Sequence, residues 1–190
     1  MSDAADSLLR RAVFLDRDGV INRALIREGK PYPAASVREF EILPGVEEAC
    51  GKLKQAGFLL VVATNQPDVG RGTIRRENVE AIHAHLCRIL PMIDRVEVSY
   101  DSGNEQPPSE FRKPRPGLLL RAARDLGIDL ARSFMVGDRW RDIDCGHAAG
   151  CTTVLVDYSY AEALRQPPHY RVKNLLEAAE LIVELAGKRA

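Results

Sequence analysis

The sequence alternates short apolar segments with longer stretches of helical periodicity, and this alternation limits the fold more than any other feature. The apolar segments have the length and composition of buried strands and cover residues 12–15, 58–63, 96–100, 134–136 and 153–156. The helical patterns cover residues 45–55, 76–90, 116–126, 143–149 and 175–186. This order predicts an α/β fold with a mostly parallel, Rossmann-like sheet and helices on both faces.

Length and charge narrow the class of protein further. A chain of 190 residues suits a single domain over residues 1–190. Lys and Arg together number 27, as do Asp and Glu, so the formal net charge of +0 counts against a nucleic-acid or anionic-membrane partner. No stretch reaches the roughly 18 apolar residues of a membrane span, and the first residues lack the pattern of a signal peptide. We expect a monomer.

The cysteines bear on the cellular compartment. Cys50, Cys87, Cys145 and Cys151 form no C-x-x-C pair and lie in segments with regular apolar patterns. They are therefore predicted to be reduced thiols in the core, which indicates a cytoplasmic protein.

Polar residues directly follow several of the predicted strands. In an open parallel sheet, ligands bind beyond the carboxyl ends of the strands. Asp16 and Asp18 follow the first strand and lie on the same side of an extended chain. One carboxylate can attack an electrophile while the other transfers a proton. The alternative is a strand-end turn that contains acidic residues for local reasons only.

A second acidic segment follows the fourth predicted strand. Asp138 can join Asp16 in holding a hard divalent cation, a role that suits Mg²⁺ because this ion commonly uses a few carboxylates together with substrate phosphate. The alternative is that Asp138 caps the next helix. For Asp142, a helix-capping role and a functional role remain equally open.

Two further segments carry groups that suit a phosphate. The hydroxyl of Thr64 and the neighbouring amides can donate to phosphate oxygens, and Lys113 supplies a compensating positive charge. Arg112 adds a planar set of donors. Each feature alone is common in turns and solvated basic loops, so the inference rests on their order and spacing.

Four motifs taken together resemble a known family. They are DRDGVIN at residues 16–22, TNQ at 64–66, RKPRPG at 112–117 and GDRWRD at 137–142. They resemble the motifs of haloacid dehalogenase-type phosphatases, in particular the branch with D-glycero-D-manno-heptose 1,7-bisphosphate phosphatases and histidinol-phosphatases. The resemblance covers roughly residues 11–157. It implies a haloacid dehalogenase-like fold.

The resemblance also implies a role for each motif. Asp16 would be a nucleophile that forms an aspartyl-phosphate, and Asp18 would protonate the leaving oxygen and then activate water. Thr64 and Lys113 would stabilise the transferring phosphoryl group. Mg²⁺ would be held by Asp16, the backbone carbonyl of Asp18 and Asp138. The expected substrate contacts are Asn65, Gln66, Arg112 and Arg139.

Two features bear on how far the resemblance extends. Many members of this branch carry a Cys/His zinc site before RKPxPG, yet residues 100–111 contain neither residue, so no structural zinc is predicted. This loop is expected to be held by its own turns and by packing of Phe111, helped by Pro107 and Pro108. The short spacing between motifs leaves no room for a large cap domain, so we expect an open site.

The substrate that the resemblance favours is a heptose bisphosphate, which would lose its 7-phosphate during nucleotide-heptose synthesis. Histidinol phosphate, another small phosphorylated metabolite or a polynucleotide 3′-phosphate are alternatives, and neutral charge counts against the last. A non-catalytic sugar-phosphate-binding protein is a further alternative, although the acidic residues and Lys113 are all present. A second substrate phosphate would need another cation. The candidates are Arg23, Arg27, Arg71 and Arg115.

The remaining conspicuous residues favour structural roles. His83 and His85 are two positions apart on a predicted helix and do not share a face, so packing or surface roles are favoured over metal binding. His147 is also expected to be structural. For Trp140, stacking over a sugar and wedging the adjacent loop remain equally open.

Overall fold

In the part of the chain that the structure describes, the strands form one large parallel sheet and one small antiparallel pair. The computed structural model describes residues 9–27 and 30–188. Six strands form a sheet in the order β5, β4, β1, β6, β7, β8, and every neighbouring pair is parallel. The strands are β1 (Ala12–Leu15), β2 (Leu25–Arg27), β3 (Lys30–Tyr32), β4 (Leu59–Asn65), β5 (Arg95–Ser99), β6 (Phe134–Gly137), β7 (Thr152–Val156) and β8 (Tyr170–Val172). Strands β2 and β3 form the antiparallel pair. The predicted parallel sheet is confirmed.

Helices cover both faces of this sheet. They are α1 (Val46–Gln55), α2 (Pro67–Gly70), α3 (Arg76–Ile89), α4 (Gly117–Leu126), α5 (Trp140–Ala149) and α6 (Leu175–Lys188). Helices α1, α3 and α6 supply the core on one face, whereas α4 and α5 supply it on the other. Within the described ranges, no helix combines the length and apolar character needed to cross a membrane.

Strand β1 shows how the sequence produces this layered arrangement. Val13 and Leu15 pack in the core shared with α1, α3 and α6, while Ala12 and Phe14 pack in the core shared with α4 and α5. All four side chains are buried. Because a strand covered on both faces needs apolar residues at every position, it forms a continuous apolar segment rather than an alternating one.

The predicted elements agree with the observed ones except for short segments and one helix start. Helix α5 begins at Trp140 rather than at residue 143, because its first turn is rich in polar residues. The structure adds β2, β3, β8 and α2, which span only three or four residues each. Such lengths are too short to show a periodic pattern.

The order of the strands decides where the polar motifs meet. Strand β1 lies between β4 and β6, and all three run in the same direction. Asp16 follows β1, Thr64 lies near the end of β4, and Asp138 follows β6. The three motifs therefore reach the same edge of the sheet, where parallel folds place their ligands.

Candidate active site

Three aspartates gather beyond the carboxyl ends of β1 and β6. Asp16, Asp138 and Asp142 each place a carboxylate oxygen within 4.8 Å of the others. We call this group the acid cluster. Carboxylates this close repel one another, so the cluster needs a compensating positive charge.

Lys113 supplies part of that charge from the loop between β5 and α4. Its buried Nζ lies 2.9 Å from Oδ1 of Asp16 and 2.6 Å from Oδ1 of Asp142. Burial alone would lower the pKa of Lys113, but the carboxylates of Asp142 and Asp16 outweigh burial and raise it. The backbone of Lys113 is fixed by Asn65, whose side-chain amide donates to its carbonyl (3.0 Å) and accepts from its N–H (3.1 Å).

The two oxygens of Asp16 differ in their surroundings. Oδ1 accepts a hydrogen bond from the backbone N–H of Arg17 (2.7 Å) and pairs with Lys113. Every bond that the structure describes for this carboxylate ends on Oδ1, so Oδ2 is left for a ligand. Burial raises the pKa of Asp16 to about 6, opposed by Lys113 and reinforced by Asp142 and Asp18.

Asp138 is the least compensated member of the cluster. Both of its carboxylate oxygens are buried and accept no hydrogen bond from the described residues. Burial, followed by the charges of Asp16 and Asp142, raises its pKa well above the usual range, and Lys113 and the nearby Tyr160 hydroxyl oppose this rise only in part. A buried carboxylate without donors is costly, and a bound cation is the usual compensation.

Gly19 allows the chain to pass this close to Asp138. Its φ is +88°, and a Cβ placed there would lie 2.1 Å from Oδ2 of Asp138. Any other residue would therefore be strained and would also displace the Asp138 carboxylate. The glycine of DRDG is thus needed both for the turn and for space beside the acid cluster.

The available oxygens fit a hard divalent cation. Asp16 and Asp138 offer oxygens without donors, and carboxylate oxygens are the ligands that Mg²⁺ prefers. Asp142 is different, because it accepts hydrogen bonds from Lys113 at Oδ1 and from the backbone N–H of Arg139 at Oδ2. Asp142 therefore caps α5, which is one of the two roles left open by the sequence, and it also positions Lys113.

Asp18 is surrounded by donors. Arg17 donates to it from Nε (3.1 Å) and Nη2 (3.2 Å), Asn22 from Nδ2 (3.0 Å) and Gln66 from Nε2 (2.9 Å). Gln66 also donates to Oγ1 of Thr64 at 2.9 Å. Because Thr64 Oγ1 already accepts this bond, its own proton is free to be donated elsewhere.

A cleft of about 270 Å³ connects these groups with three arginines. Its wall includes Asp16, Asp18, Thr64, Lys113 and Asp138. The same wall carries Arg71, Arg112 and Arg141, which we call the arginine cluster.

The positive charges of the arginine cluster repel one another. Burial and the neighbouring guanidinium groups of Arg141 and Arg71 lower the pKa of Arg112. Burial and the neighbouring Arg139 likewise lower the pKa of Arg141. The contacts of these arginines offset little of their positive charge. Arg112 donates to the carbonyl of Asp101 (2.7 Å), and Arg141 lies 3.6 Å from Glu162. An anion in the cleft would relieve this repulsion.

The four predicted substrate contacts differ in whether they reach the cleft and in whether their side chains are already hydrogen-bonded within the protein. Arg112 lies in the cleft wall, as does Asn65, although Asn65 is occupied in fixing Lys113. Gln66 is buried and contacts Asp18 instead. Arg139 reaches the wall but donates two hydrogen bonds to Glu162, at 2.9 and 2.8 Å, so a phosphate would have to compete with this ion pair.

The arginines that were candidates for binding a second phosphate differ in whether they line the cleft. Arg71 lies in the cleft wall and pairs with Asp68 at 3.3 Å. Arg23 is paired with Glu41 at the exposed surface, and Arg115 donates to the carbonyl of Pro108. The side chain of Arg27 lies outside the described part of the structure. Sequence reasoning misses Arg141, although its position within GDRWRD next to Asp142 is a usable signal.

The surroundings of several other residues decide between the roles that the sequence suggested for them. Trp140 donates from Nε1 to Glu162 (2.8 Å) and lies under the guanidinium of Arg165, which favours the wedging role. His147 stacks against His169 with ring centroids 4.8 Å apart, as a structural residue would. The prediction that all four cysteines lie in the core is wrong for Cys87, which is exposed because its position on α3 faces away from the sheet.

The loop before RKPRPG is held by polar turns and by one aromatic contact. Glu105 accepts hydrogen bonds from the backbone and hydroxyl of Ser102 and from the backbone N–H of Gly103. Phe111 packs beside the core of α4 and lies 4.7 Å from the guanidinium of Arg121. These contacts match the expected means of holding the loop. The prediction of no zinc still rests on the sequence of residues 100–111.

A parallel sheet that gathers a D-x-D pair, a buried lysine and a further aspartate at one edge defines a haloacid dehalogenase-type hydrolase. The family model described as HAD-hydrolase-like matches residues 110–178. The chain is 36% identical to D-glycero-alpha-D-manno-heptose-1,7-bisphosphate 7-phosphatase of Burkholderia mallei, over 77% of this chain and 79% of that protein. It is 35% identical to the beta-anomer enzyme of Yersinia pestis, over 76% and 79%.

A solved structure is similar over nearly the whole chain. It is the D,D-heptose 1,7-bisphosphate phosphatase of B. bronchiseptica, complexed with magnesium and phosphate. The TM-score is 0.79 at 29% identity, covering 92% of this chain and 99% of that one. The chain therefore belongs to the D-glycero-D-manno-heptose 1,7-bisphosphate 7-phosphatase family, and the predicted family and enzyme class are confirmed.

Proposed function

We propose that this protein is a Mg²⁺-dependent phosphatase that removes the 7-phosphate of D-glycero-D-manno-heptose 1,7-bisphosphate through an aspartyl-phosphate on Asp16. One observation carries the proposal. A single cleft holds both a carboxylate with an unoccupied oxygen beside a buried lysine and a separate cluster of three arginines. The first arrangement suits phosphoryl transfer, and the second suits another anionic group on the same substrate.

The first chemical step uses Asp16 and Lys113. Oδ2 of Asp16 attacks phosphorus, and the bond from phosphorus to the C7 oxygen breaks. Lys113 holds Oδ1 and thereby fixes the direction of Oδ2. The free proton of Thr64 is available to a phosphate oxygen, since its Oγ1 accepts from Gln66. These fixed donors stabilise the charge of the transferring group.

Asp18 handles the protons in both steps. It delivers a proton to the leaving C7 oxygen, and it then takes a proton from the water that attacks the aspartyl-phosphate. Inorganic phosphate leaves and Asp16 is regenerated. Asp18 lies in the cleft wall two residues from Asp16, so both steps occur within reach of one carboxylate.

The residues that would hold Mg²⁺ are Asp16, Asp138 and the backbone carbonyl of Asp18. Support comes from the unpartnered oxygens of Asp138 and from the relative of known structure that was solved with magnesium and phosphate. When bound, the cation offsets the repulsion between the Asp16 carboxylate and the phosphate dianion.

The arginine cluster would bind the 1-phosphate. Arg112 and Arg141 present planar donors suited to phosphate oxygens, and Arg71 adds a third charge. This arrangement favours a bisphosphate over a substrate with one phosphate. The relatives named above act on different anomers, and the choice of anomer is left to experiment. The cytoplasmic location and the monomeric state remain predictions from the sequence.

A substrate panel tests the proposal. Phosphate release with Mg²⁺ would be compared for both anomers of the heptose bisphosphate, for histidinol phosphate and for a 3′-phosphorylated oligonucleotide. We expect kcat/KM to favour one heptose anomer over the last two substrates by about a hundredfold, which corresponds to about 2.7 kcal/mol. Similar poor rates on all substrates would refute the heptose assignment. No metal-dependent release would refute the phosphatase.

A further inference from the structure

Arg17, the residue between the two aspartates of the D-x-D pair, is completely buried. A guanidinium removed from water needs an acceptor for its N–H groups. Nε and Nη2 donate to Asp18, and Nη1 lies 3.1 Å from Nε2 of His83 on α3. Arg17 therefore links the Asp18 carboxylate to a helix 66 residues further along the chain.

His83 is suited to accept this bond. Its side chain is buried, and burial together with the charge of Arg17 lowers its pKa to about 4, although the charge of Asp18 opposes this. The imidazole is therefore neutral near pH 7. Because Arg17 can only donate, Nε2 of His83 must be the acceptor and Nδ1 must carry the proton.

We propose that His83 is a positioning residue that fixes the acid–base carboxylate of Asp18 through Arg17. The inference rests on the proposed function, since it assigns the proton transfers to Asp18. His83 holds one end of the guanidinium, and the other end directs both oxygens of Asp18. Without His83, Nη1 loses its acceptor and the guanidinium is held through Asp18 alone, so it no longer ties the direction of the Asp18 oxygens to α3.

The test uses the different need of two substrates for a proton donor. Release of an alkoxide, as from the heptose bisphosphate, requires protonation by Asp18, whereas release of p-nitrophenolate from p-nitrophenyl phosphate does not. A misplaced Asp18 therefore lowers kcat/KM for the sugar phosphate selectively. A general loss of structure would lower kcat/KM for both substrates together.

Three variants of the full chain are compared with the wild type. We expect His83→Leu to lower kcat/KM for the heptose bisphosphate about tenfold while changing that for p-nitrophenyl phosphate less than about twofold. His83→Gln restores an acceptor at the position of Nε2 and should recover most of the loss. His85→Leu is the matched control, because His85 lies on the same helix and contacts Arg88 instead. Thermal unfolding of each variant is measured first, so that rates are compared only at temperatures at which every variant is folded.

Equal losses on both substrates, or none, would overturn the proposal. A second measurement does not depend on activity. Nitrogen-15 NMR of the imidazoles, with His83 assigned by comparison with His83→Leu, should show a neutral ring with its proton on Nδ1 at pH 7. A proton on Nε2 would contradict the inference. If the wild type hydrolyses neither substrate, the proposed function fails, while the NMR result still decides whether His83 accepts from Arg17.

Discussion

The acid cluster and the arginine cluster line the same cleft, yet they are built in different ways. Asp16 and Asp138 directly follow neighbouring strands of the central sheet, and Lys113 is fully buried between two carboxylates. Arg71 follows the short helix α2, Arg112 belongs to the long loop before α4, and Arg141 lies in the first turn of α5. Strand ends thus hold Asp16 and Asp138, whereas Lys113 and Asp142 lie on the same loop and helix turn as Arg112 and Arg141 and turn towards the acid cluster. All three arginines lie outside the strand ends.

Because of this difference, we expect changes in the acid cluster to affect the chemical step and changes in the arginine cluster to affect substrate selection. Asp16 and Asp142 in the acid cluster are compensated by short, buried contacts with Lys113, so small changes there alter the reacting atoms themselves. The arginines make few compensating contacts, so changes there should alter affinity and leave the chemical step intact. Loops positioned by a rigid scaffold commonly carry such selectivity.

The largest effect is expected at the nucleophile. Asp16→Asn keeps the shape of the side chain but removes the carboxylate that attacks phosphorus. Phosphate release should fall by at least about a thousandfold, as is usual when a covalent nucleophile is removed. Retained turnover in a correctly folded Asp16→Asn protein, checked by circular dichroism, would refute the covalent mechanism.

The next effect concerns the buried charge that compensates the acid cluster. Lys113→Met leaves Asp16 and Asp142 without their shared cation and should lower the free energy of unfolding by about 3 kcal/mol, besides lowering activity. Lys54→Met is the matched control, because its pair with Asp94 is partly exposed and should cost less than about 1 kcal/mol. Equal losses in urea unfolding would show that Lys113 is no more important than a surface lysine.

The third effect concerns the metal that the acid cluster would hold. Chelation should abolish turnover, and Asp138→Asn should raise the Mg²⁺ concentration for half-maximal rate at least about tenfold. Asp144→Asn is the control, since Asp144 contacts Gln166 outside the acid cluster. An unchanged Mg²⁺ requirement in Asp138→Asn would exclude Asp138 as a ligand.

The apparent affinity for Mg²⁺ should also depend on pH. Burial raises the pKa of Asp16 to about 6, so protons compete with the cation below that value. The affinity should therefore rise about tenfold between pH 5 and pH 7, as measured by calorimetry. An affinity that is flat or that falls over this range would contradict a raised pKa at the site.

The last effect, of similar size but confined to substrate binding, is expected in the arginine cluster. Arg141→Gln should raise KM for the heptose bisphosphate about tenfold, with kcat little changed, because one charge-assisted contact is lost. The KM for p-nitrophenyl phosphate should not change. Arg132→Gln, beyond the opposite end of β6, is the control and should behave as wild type. A matching rise in KM on both substrates would place Arg141 at the transferred phosphate instead.

The sequence predicts the acid cluster better than it predicts the arginine cluster. Strands β1 and β6 are continuous apolar segments, so the acidic residues that follow them can be located from the amino-acid pattern alone. Arg141 lies within a recognised motif, but whether its side chain enters the cleft depends on the direction of the first turn of α5. The contact between Arg17 and His83 joins distant parts of the chain, and local periodicity carries no information about it.

The same reasoning explains why the small elements escape prediction. Strands β2 and β3 contain only three residues each and are strands because they pair with one another. Strand β8 is a three-residue edge strand beside β7. Tertiary contacts, rather than local composition, decide such segments.

The most direct test compares the heptose 1,7-bisphosphate with the heptose 7-monophosphate, which has the same leaving group and lacks only the second phosphate. We expect wild-type kcat/KM to favour the bisphosphate by about thirtyfold or more, and Arg141→Gln to reduce this preference about tenfold. Equal kcat/KM values for the two substrates in the wild type would contradict the assignment of substrate selection to the arginine cluster.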